Sequence, residues 1–365
     1  MVRKKVLMKG NEAIGEAAIR AGCQAFFGYP ITPQSELPEY LARRMPEVDM
    51  IFLQAESELA AISMVYGAAG AGARVMTSSS SPGISLKQEG ISMLAGADLP
   101  AVIVNIMRGG PGIGGIQPSQ ADYFQATRGG GHGDYRHLVL APASIQELAD
   151  LTWEAFALAD QYRNPVLILG DGMLGQMMEP VLLPEEPPPL VDKPWATTGA
   201  KDREHNEIYT LHMGMEDLEK HNQRLAQKWE QIAREQVRYD KFMLDDAEIV
   251  IVAFGIASRV ARRAIRMARE VGIKAGLLRP ISLWPFPTAA IAEVAKQARA
   301  FLVVEMNLGQ MIEDVRLATG GLVPVELFSK ITIVPNPKEI LQSLCSLARR
   351  TGCKIDEAAI KEESA

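Results

Sequence analysis

Six apolar runs punctuate the first half of the chain: Gln24–Phe27, Met50–Gln54, Arg74–Thr77, Ala101–Met107, His137–Ala141 and Val166–Gly170. Helical patterns separate them, notably at Gly10–Ala21, Leu59–Ala69, Lys87–Ala95 and Ile145–Tyr162. Strands that are apolar along both alternations have no face to give to water. They need helices above and below, and strand–helix alternation supplies these when neighbouring strands run parallel. The pattern limits the fold to α/β, with a mostly parallel sheet over residues 1–183.

At Pro184 the pattern stops. Glu185-Glu186-Pro187-Pro188-Pro189 can continue neither a helix nor a central strand and reads as a stiff linker. The segment 184–246 then carries a charged stretch, Met215–Met243. There Leu218, Leu225, Trp229, Ile232, Tyr239 and Met243 fall on one face of a long helix. That stripe either docks on a partner subunit or packs across the chain's own second domain. Alternation resumes with strands at Ile249–Phe254, Lys274–Leu278, Ala300–Glu305 and Val323–Leu327. They define a smaller α/β domain, 247–350, followed by a tail, 351–365. Its helix Ser258–Val271 lines up Arg259, Arg262, Arg263, Arg266 and Arg269, either a solvated face or a docking surface for an acidic electron carrier.

With 47% hydrophobic and 22% charged residues the chain can bury a sizeable core. A net charge of −6 argues against nucleic acid as the main partner. No apolar stretch reaches membrane length, and the basic start Met-Val-Arg-Lys-Lys lacks the apolar run of a signal peptide. No membrane association is expected, and the cytoplasm is the default location. Cys23, Cys345 and Cys353 lack the close spacing that holds zinc or iron–sulfur clusters, so they read as packed thiols.

Two neighbouring stretches concentrate the chemistry. In Gly28-Tyr29-Pro30-Ile31-Thr32-Pro33-Gln34-Ser35-Glu36 two prolines bracket Ile31-Thr32, fixing a loop after a strand, where α/β sheets keep their functional groups. Its companion, Gln54–Ala61, opens a helix with Glu56 and Glu58. The helix then turns small-sided through Ala60, Ala61 and Gly67–Ala73, so another backbone or a flat ligand can come close. Glu56 and Glu58 are two apart, so only one can point inward. Both also suit the positive end of a helix. Arg108 follows the apolar run 102–107 and precedes Gly109-Gly110-Pro111-Gly112. It is placed either to meet a ligand carboxylate with its fork of donors or to sit in water at a strand end.

With the blocks Thr77–Gly83, Asn105–Gly115, Gly129–Asp134 and Leu277–Pro287, these residues resemble the α-type subunit of the 2-oxoacid:ferredoxin oxidoreductases, the branched-chain (2-oxoisovalerate) members above all. The resemblance implies a domain that binds the pyrimidine ring of thiamine diphosphate, followed by a domain of the transketolase C-terminal type. It implies Glu58 as the carboxyl that meets pyrimidine N1′ and Arg108 as the holder of the substrate carboxylate. Thr32, with Tyr29, Pro30 and Ile31, would wall the pocket. A β-type partner subunit would hold the diphosphate and Mg2+, leaving no metal ligand on this chain. Iron–sulfur clusters would sit on partner chains, with γ-type and ferredoxin-like subunits in the complex. The reaction implied is oxidative decarboxylation of 2-oxoisovalerate with coenzyme A, giving an acyl-CoA, carbon dioxide and reduced ferredoxin. 2-Oxoglutarate is the alternative substrate; its second carboxylate needs a further cation, for which Arg128 and Lys87 offer surface charge. The alternative of another class is a non-catalytic scaffold subunit. Gln34-Ser35 departs from the Ser or Thr that many relatives carry after the second proline.

Three motifs carry no assignment. Gly110-x-Gly112-x-x-Gly115 fits a dinucleotide fingerprint, but Gln117-Pro118-Ser119 follows it rather than an opening helix. Gly170-Asp171-Gly172 begins like a thiamine diphosphate–magnesium motif, but the Pro-rich linker occupies the place of the required asparagine. His132-Gly133-Asp134 lies in a glycine run that reads as a mobile loop.

Overall fold

The computed structural model describes residues 4–359. Seven strands form the first sheet, edge to edge Ser282–Trp284, Leu138–Leu140, Pro165–Asp171, Ala101–Met107, Val75–Ser79, Ala25–Gly28 and Ile51–Gln54. Every pairing is parallel except the first, where Ser282–Trp284 arrives from the second half of the chain and lies antiparallel on Leu138–Leu140. Ala101–Met107 and Pro165–Asp171 are buried along their whole length, so helices cover both faces as the apolar runs require. Helices Gly10–Arg20 and Ile145–Tyr162 pack side by side, as do Glu58–Gly70 and Pro82–Gly96.

The second sheet runs Val325–Ser329, Ala300–Glu305, Ile249–Val252, Ala275–Pro280 and Tyr239–Phe242, parallel apart from the last strand. That last strand corrects the reading of Met215–Met243 as one helix. The helix ends at Glu235, and Tyr239–Phe242 pairs with 277–280 instead. Leu225, Trp229 and Ile232 are buried, whereas Leu218, Tyr239 and Met243 are exposed. The stripe docks on the chain's own first sheet, not on its second. Lys228 Nζ donates to Asp98 at 2.6 Å, Trp229 Nε1 to Asn164 at 3.3 Å, and Tyr162 Oη to Glu235 at 2.6 Å.

Most of the arginines of the helix Gly255–Glu270 are also spoken for within the chain. Arg259 pairs with Glu179 and Arg269 with Asp246, at 2.7 and 2.6 Å; Arg262 pairs with Asp240, and Arg266 lies over Phe242.

A buried seam joins the two sheets. Gln120 donates its backbone N–H to Met306 O and its Nε2 to Phe254 O, both at 2.9 Å. Its side-chain oxygen accepts from Met306 N, and its carbonyl from Asn307 Nδ2. Asp171 adds a clamp. It caps the short helix Gly172–Gln176 through Met173 N and Leu174 N, and reaches across the seam to Ile256 N at 3.2 Å. Burial pushes its carboxyl up to about 6, with these N–H donors acting in the opposite sense.

The three cysteines are buried. Of the expected tail, residues 360–365 lie outside the described part. Cys353 is buried, and Asp356 N donates to Val271 O at 2.8 Å. Among the described residues no helix is long and apolar enough to cross a membrane.

Candidate active site

The carboxyl ends of the central strands, Val75–Ser79 and Ala101–Met107, converge with the loop after Ala25–Gly28 and the start of the helix Glu58–Gly70. Ser57 caps that helix by accepting from Ala60 N at 3.1 Å. Capping fixes the rotation of the first turn, so Glu58 turns inward, 6% exposed, while Glu56 stays in water. No hydrogen bond from the described residues reaches the Glu58 carboxylate.

Gly83 lets it sit there. A Cβ on Gly83 would lie 2.0 Å from Ser79 Oγ and 2.6 Å from Glu58 Oε1. Gly83 belongs to the helix Pro82–Gly96, five residues longer at its start than the pattern Lys87–Ala95 implied, because Pro82 occupies the first turn, where its missing N–H costs nothing. Only Ser80 and Ser81 connect strand to helix, and Ser81 is held at φ 26°, a conformation that costs a side-chain-bearing residue roughly 1–3 kcal/mol. Its surroundings hold it there. Ser81 Oγ donates to Asp122 at 2.6 Å and accepts from Arg108 N at 3.0 Å, while Ser81 N donates to Asn105 Oδ1. Asn105 Nδ2 also donates to Asp122, whose carboxyl burial pushes upward.

Arg108 is not a strand-end arginine in water; it is 8% exposed. Its Nη1 donates to Thr32 O at 2.9 Å and its Nη2 to Ile113 O at 2.8 Å, tying the proline-bracketed loop to the glycine-rich one. Its Nε is buried without a protein partner, as are Ser79 Oγ, Ser80 Oγ and Gln34 Nε2. Gln34 Oε1 accepts from Ser78 Oγ at 2.6 Å. Tyr29, Pro30 and Thr32 are exposed and Ile31 is partly so. The loop is moored from behind: Asn11 Nδ2 and Gln176 Nε2 both donate to Pro33 O, at 2.9 and 2.8 Å, and both to Glu36.

Lys87 does not sit as read from the sequence, whereas Arg128 does carry surface charge. Lys87 is fully buried, donating to Thr77 Oγ1 and Ser78 O, so it is no surface charge. Arg128 is exposed, packs over Phe124 and pairs with Asp314. The glycine run 129–133 is anchored: Gly130 N and Gly131 N donate to Tyr135 Oη, which donates to Gln88. Asn11, Asp122 and Gln176 escaped the sequence reading, because their partners lie in other elements.

The donor set fits the pyrimidine half of thiamine diphosphate. A buried carboxyl without a hydrogen-bond partner among the described residues lies opposite Gly83, and Ser79 Oγ, Ser80 Oγ, Gln34 Nε2 and Arg108 Nε are buried without one on the strand ends and loops that converge there. The fold and these groups define a thiamine diphosphate-binding chain of the transketolase-like kind. Residues 16–241 match the model for the thiamine diphosphate-binding domain of pyruvate flavodoxin/ferredoxin oxidoreductases, and 247–340 match core domain II of pyruvate:ferredoxin oxidoreductases. The ketoisovalerate oxidoreductase subunit VorB of Methanothermobacter thermautotrophicus is 55% identical over 315 residues, 86% of this chain and 90% of that protein. The 2-oxoglutarate synthase subunit KorA of the same organism is 35% identical over 377 residues, covering 95% of this chain and all of that one. A solved 2-oxoglutarate:ferredoxin oxidoreductase from Magnetococcus marinus superposes with a TM-score of 0.86 at 25% identity, over 94% of this chain and 65% of that chain. A split-gene transketolase shares the fold at a TM-score of 0.59 and 16% identity. The chain belongs to the pyruvate flavodoxin/ferredoxin oxidoreductase family.

Proposed function

We propose that this chain is the pyrimidine-binding subunit of a 2-oxoacid:ferredoxin oxidoreductase acting on a branched-chain 2-oxoacid, 2-oxoisovalerate, with coenzyme A. The observation that carries the reading is the Glu58 carboxyl: buried, opposite a glycine, and without a hydrogen bond among the described residues. When bound, thiamine diphosphate supplies the carbon nucleophile and electron sink that decarboxylation of a 2-oxoacid requires. Glu58 holds a proton at the pyrimidine N1′. Arg108 orients the substrate carboxylate, and its buried Nε is the donor still free to do so. Tyr29, Pro30, Ile31 and Thr32 wall the chamber and exclude water. Thr32 is kept in place by the bond from its carbonyl to Arg108.

The site is half a site. Ile51, Leu53, Leu59 and Leu86 are 60%, 40%, 53% and 58% exposed on and beside the elements that carry Glu58. Apolar exposure of this density marks a surface that a partner covers. In this reading a β-type subunit covers it and brings the diphosphate and Mg2+, with iron–sulfur clusters and γ-type and ferredoxin-like subunits on further chains, in the cytoplasm. The test is anoxic co-purification of the chain with its partners, then coenzyme A-dependent reduction of a low-potential dye. Faster turnover with 2-oxoisovalerate than with 2-oxoglutarate is the expected result. The reverse preference would move the substrate to 2-oxoglutarate, the reaction named for the KorA relatives, and keep Glu58 and Arg108 in place.

A further inference from the structure

One segment of the first domain, Ser119–Phe124, is gripped by the second, and what it grips in turn lies at the site. Gln310, which opens the helix Met311–Thr319 in the second domain, spreads its amide over this segment. Its Nε2 donates to Ala121 O at 2.7 Å and its Oε1 accepts from Phe124 N at 2.8 Å, so the clamp straddles Asp122. One turn along that helix, Asp314 accepts from Tyr123 Oη at 2.7 Å. Ser119 Oγ donates to Met306 O at 3.1 Å. The backbone on both flanks of Asp122 is therefore set by the second domain.

The Asp122 side chain reaches the other way, into the first domain. Its Oδ2 accepts from Ser81 Oγ at 2.6 Å and from Asn105 Nδ2 at 2.9 Å. A hydroxyl has one proton, and Ser81 has given its own to Asp122, so toward Arg108 N, 3.0 Å away, it accepts. Asn105 closes the ring by accepting from Ser81 N at 3.0 Å. Ser81 needs such holding, because at φ 26° its backbone lies where a residue with a side chain rarely settles. Asn105 is fully buried and Ser81 nearly so, which keeps water from competing for these bonds. Contacts thus run unbroken from Gln310 through Asp122 and Ser81 to the backbone of Arg108.

We propose that Asp122 and Ser81 are positioning residues through which the second domain sets where Arg108 meets the substrate carboxylate, an inference that rests on Arg108 holding that group. The guanidinium is tethered at its tip by Thr32 O and Ile113 O, and the Ser81 hydroxyl fixes the arginine at its base. Loosening the base lets the side chain tilt between its two loops. Hydrogen bonds to a carboxylate weaken steeply off line, so the 2-oxoacid binds less well while the steps that follow keep their rate. Both bonds to Asp122 end on one oxygen, so the site needs an acceptor there rather than a charge.

The test uses the co-purified complex and follows coenzyme A-dependent dye reduction at varied 2-oxoisovalerate. Ser81→Ala and Asp122→Ala should each raise KM for the 2-oxoacid about tenfold, with kcat within about twofold of wild type and KM for coenzyme A unmoved. Asp122→Asn keeps the acceptor oxygen and should bring KM back to within about twofold of wild type. Gln310→Ala, in the other domain, should raise the same KM about threefold. Ser81 and Asp122 act in series, so the double alanine variant should be no more than about twofold worse than either single one. If Ser81→Ala does not assemble, Ser81→Gly repeats the test with the backbone strain relieved. An unmoved KM in the single alanine variants, Gln310→Ala included, or effects that multiply in the double variant, overturns the proposal. So does a fall in kcat with a rise in both KM values and a lower unfolding midpoint, as merely structural residues would give. Arg108→Gln separates the two readings. If it leaves KM for the 2-oxoacid at the wild-type value, the Arg108 assignment fails. If it raises that KM about a hundredfold while Ser81→Ala and Asp122→Ala leave it alone, only the Ser81–Asp122 proposal fails.

Discussion

Glu58 and Glu305 both stand where a strand hands over to a helix, and the chain treats them in opposite ways. Glu305, at the end of Ala300–Glu305, is fully buried and saturated. It accepts from Asn307 Nδ2 and from Met311 N, Ile312 N and Gln310 N, at 2.9, 2.8, 3.0 and 3.3 Å. It closes the start of the helix Met311–Thr319, and burial raises its carboxyl even against those donors. Glu58 is nearly as buried and receives none from the described residues. One carboxylate completes its surroundings; the other leaves its acceptor capacity open among the described residues, as the proposed role at the pyrimidine requires. Burial alone does not mark a functional acid; burial with acceptor capacity left open does.

The comparison can be broken from either side. Glu305→Ala would leave several backbone donors unpaired in the core and should cost about 3–5 kcal/mol, read as a large fall in the unfolding midpoint. An unchanged midpoint would reduce Glu305 to a spectator.

The second prediction concerns the seam. The folded carboxyl of Asp171 sits at about 6, above its ordinary 3.8, so between those values the folded state binds more protons than the unfolded one. Stability should therefore fall as pH rises through that window, by about 3 kcal/mol from this group, and level off above it. Asp171→Asn should remove that contribution to the slope, which denaturant midpoints at a series of pH values would show. Asparagine cannot accept from Met173, Leu174 and Ile256 in the same way, so its plateau should also be lower.

Gly83→Ala sharpens the comparison at Glu58. The new Cβ meets Ser79 Oγ and Glu58 Oε1, so the carboxylate must shift, and turnover should fall about tenfold with little change in unfolding midpoint. The smallest effect belongs to the arginine helix. Arg259→Gln breaks a partly exposed pair with Glu179 and should move stability by about 0.5 kcal/mol or less, with turnover untouched.

Much of this was legible in the sequence because its causes are local. Strands buried on both faces must be apolar throughout, so Ala101–Met107 and Pro165–Asp171 announce themselves. Two-residue spacing required that only one of Glu56 and Glu58 point inward, and the resemblance to the family singled out Glu58. What stayed hidden depends on partners far away in the chain. Gln120 meets Met306 across 186 residues, and no local pattern marks it. Tyr239–Phe242 continues the helical phase of the preceding stripe, and only pairing with 277–280 makes it a strand. Pro82-Gly83 resembled a loop, although proline is at home in a first helical turn. Lys87, in Ser-Leu-Lys-Gln, has the look of an exposed helix position; the Thr77 and Ser78 acceptors beneath it decide otherwise.

The most direct test of the central claim is turnover of Glu58→Gln in the assembled complex, by coenzyme A-dependent dye reduction with 2-oxoisovalerate. Glutamine keeps the shape but cannot hold the ionisable proton. Turnover should drop by about a hundredfold or more while the subunits still co-purify and the unfolding midpoint stays near wild type. A variant that turns over within about twofold of wild type would contradict the account and leave this chain a scaffold beside someone else's active site.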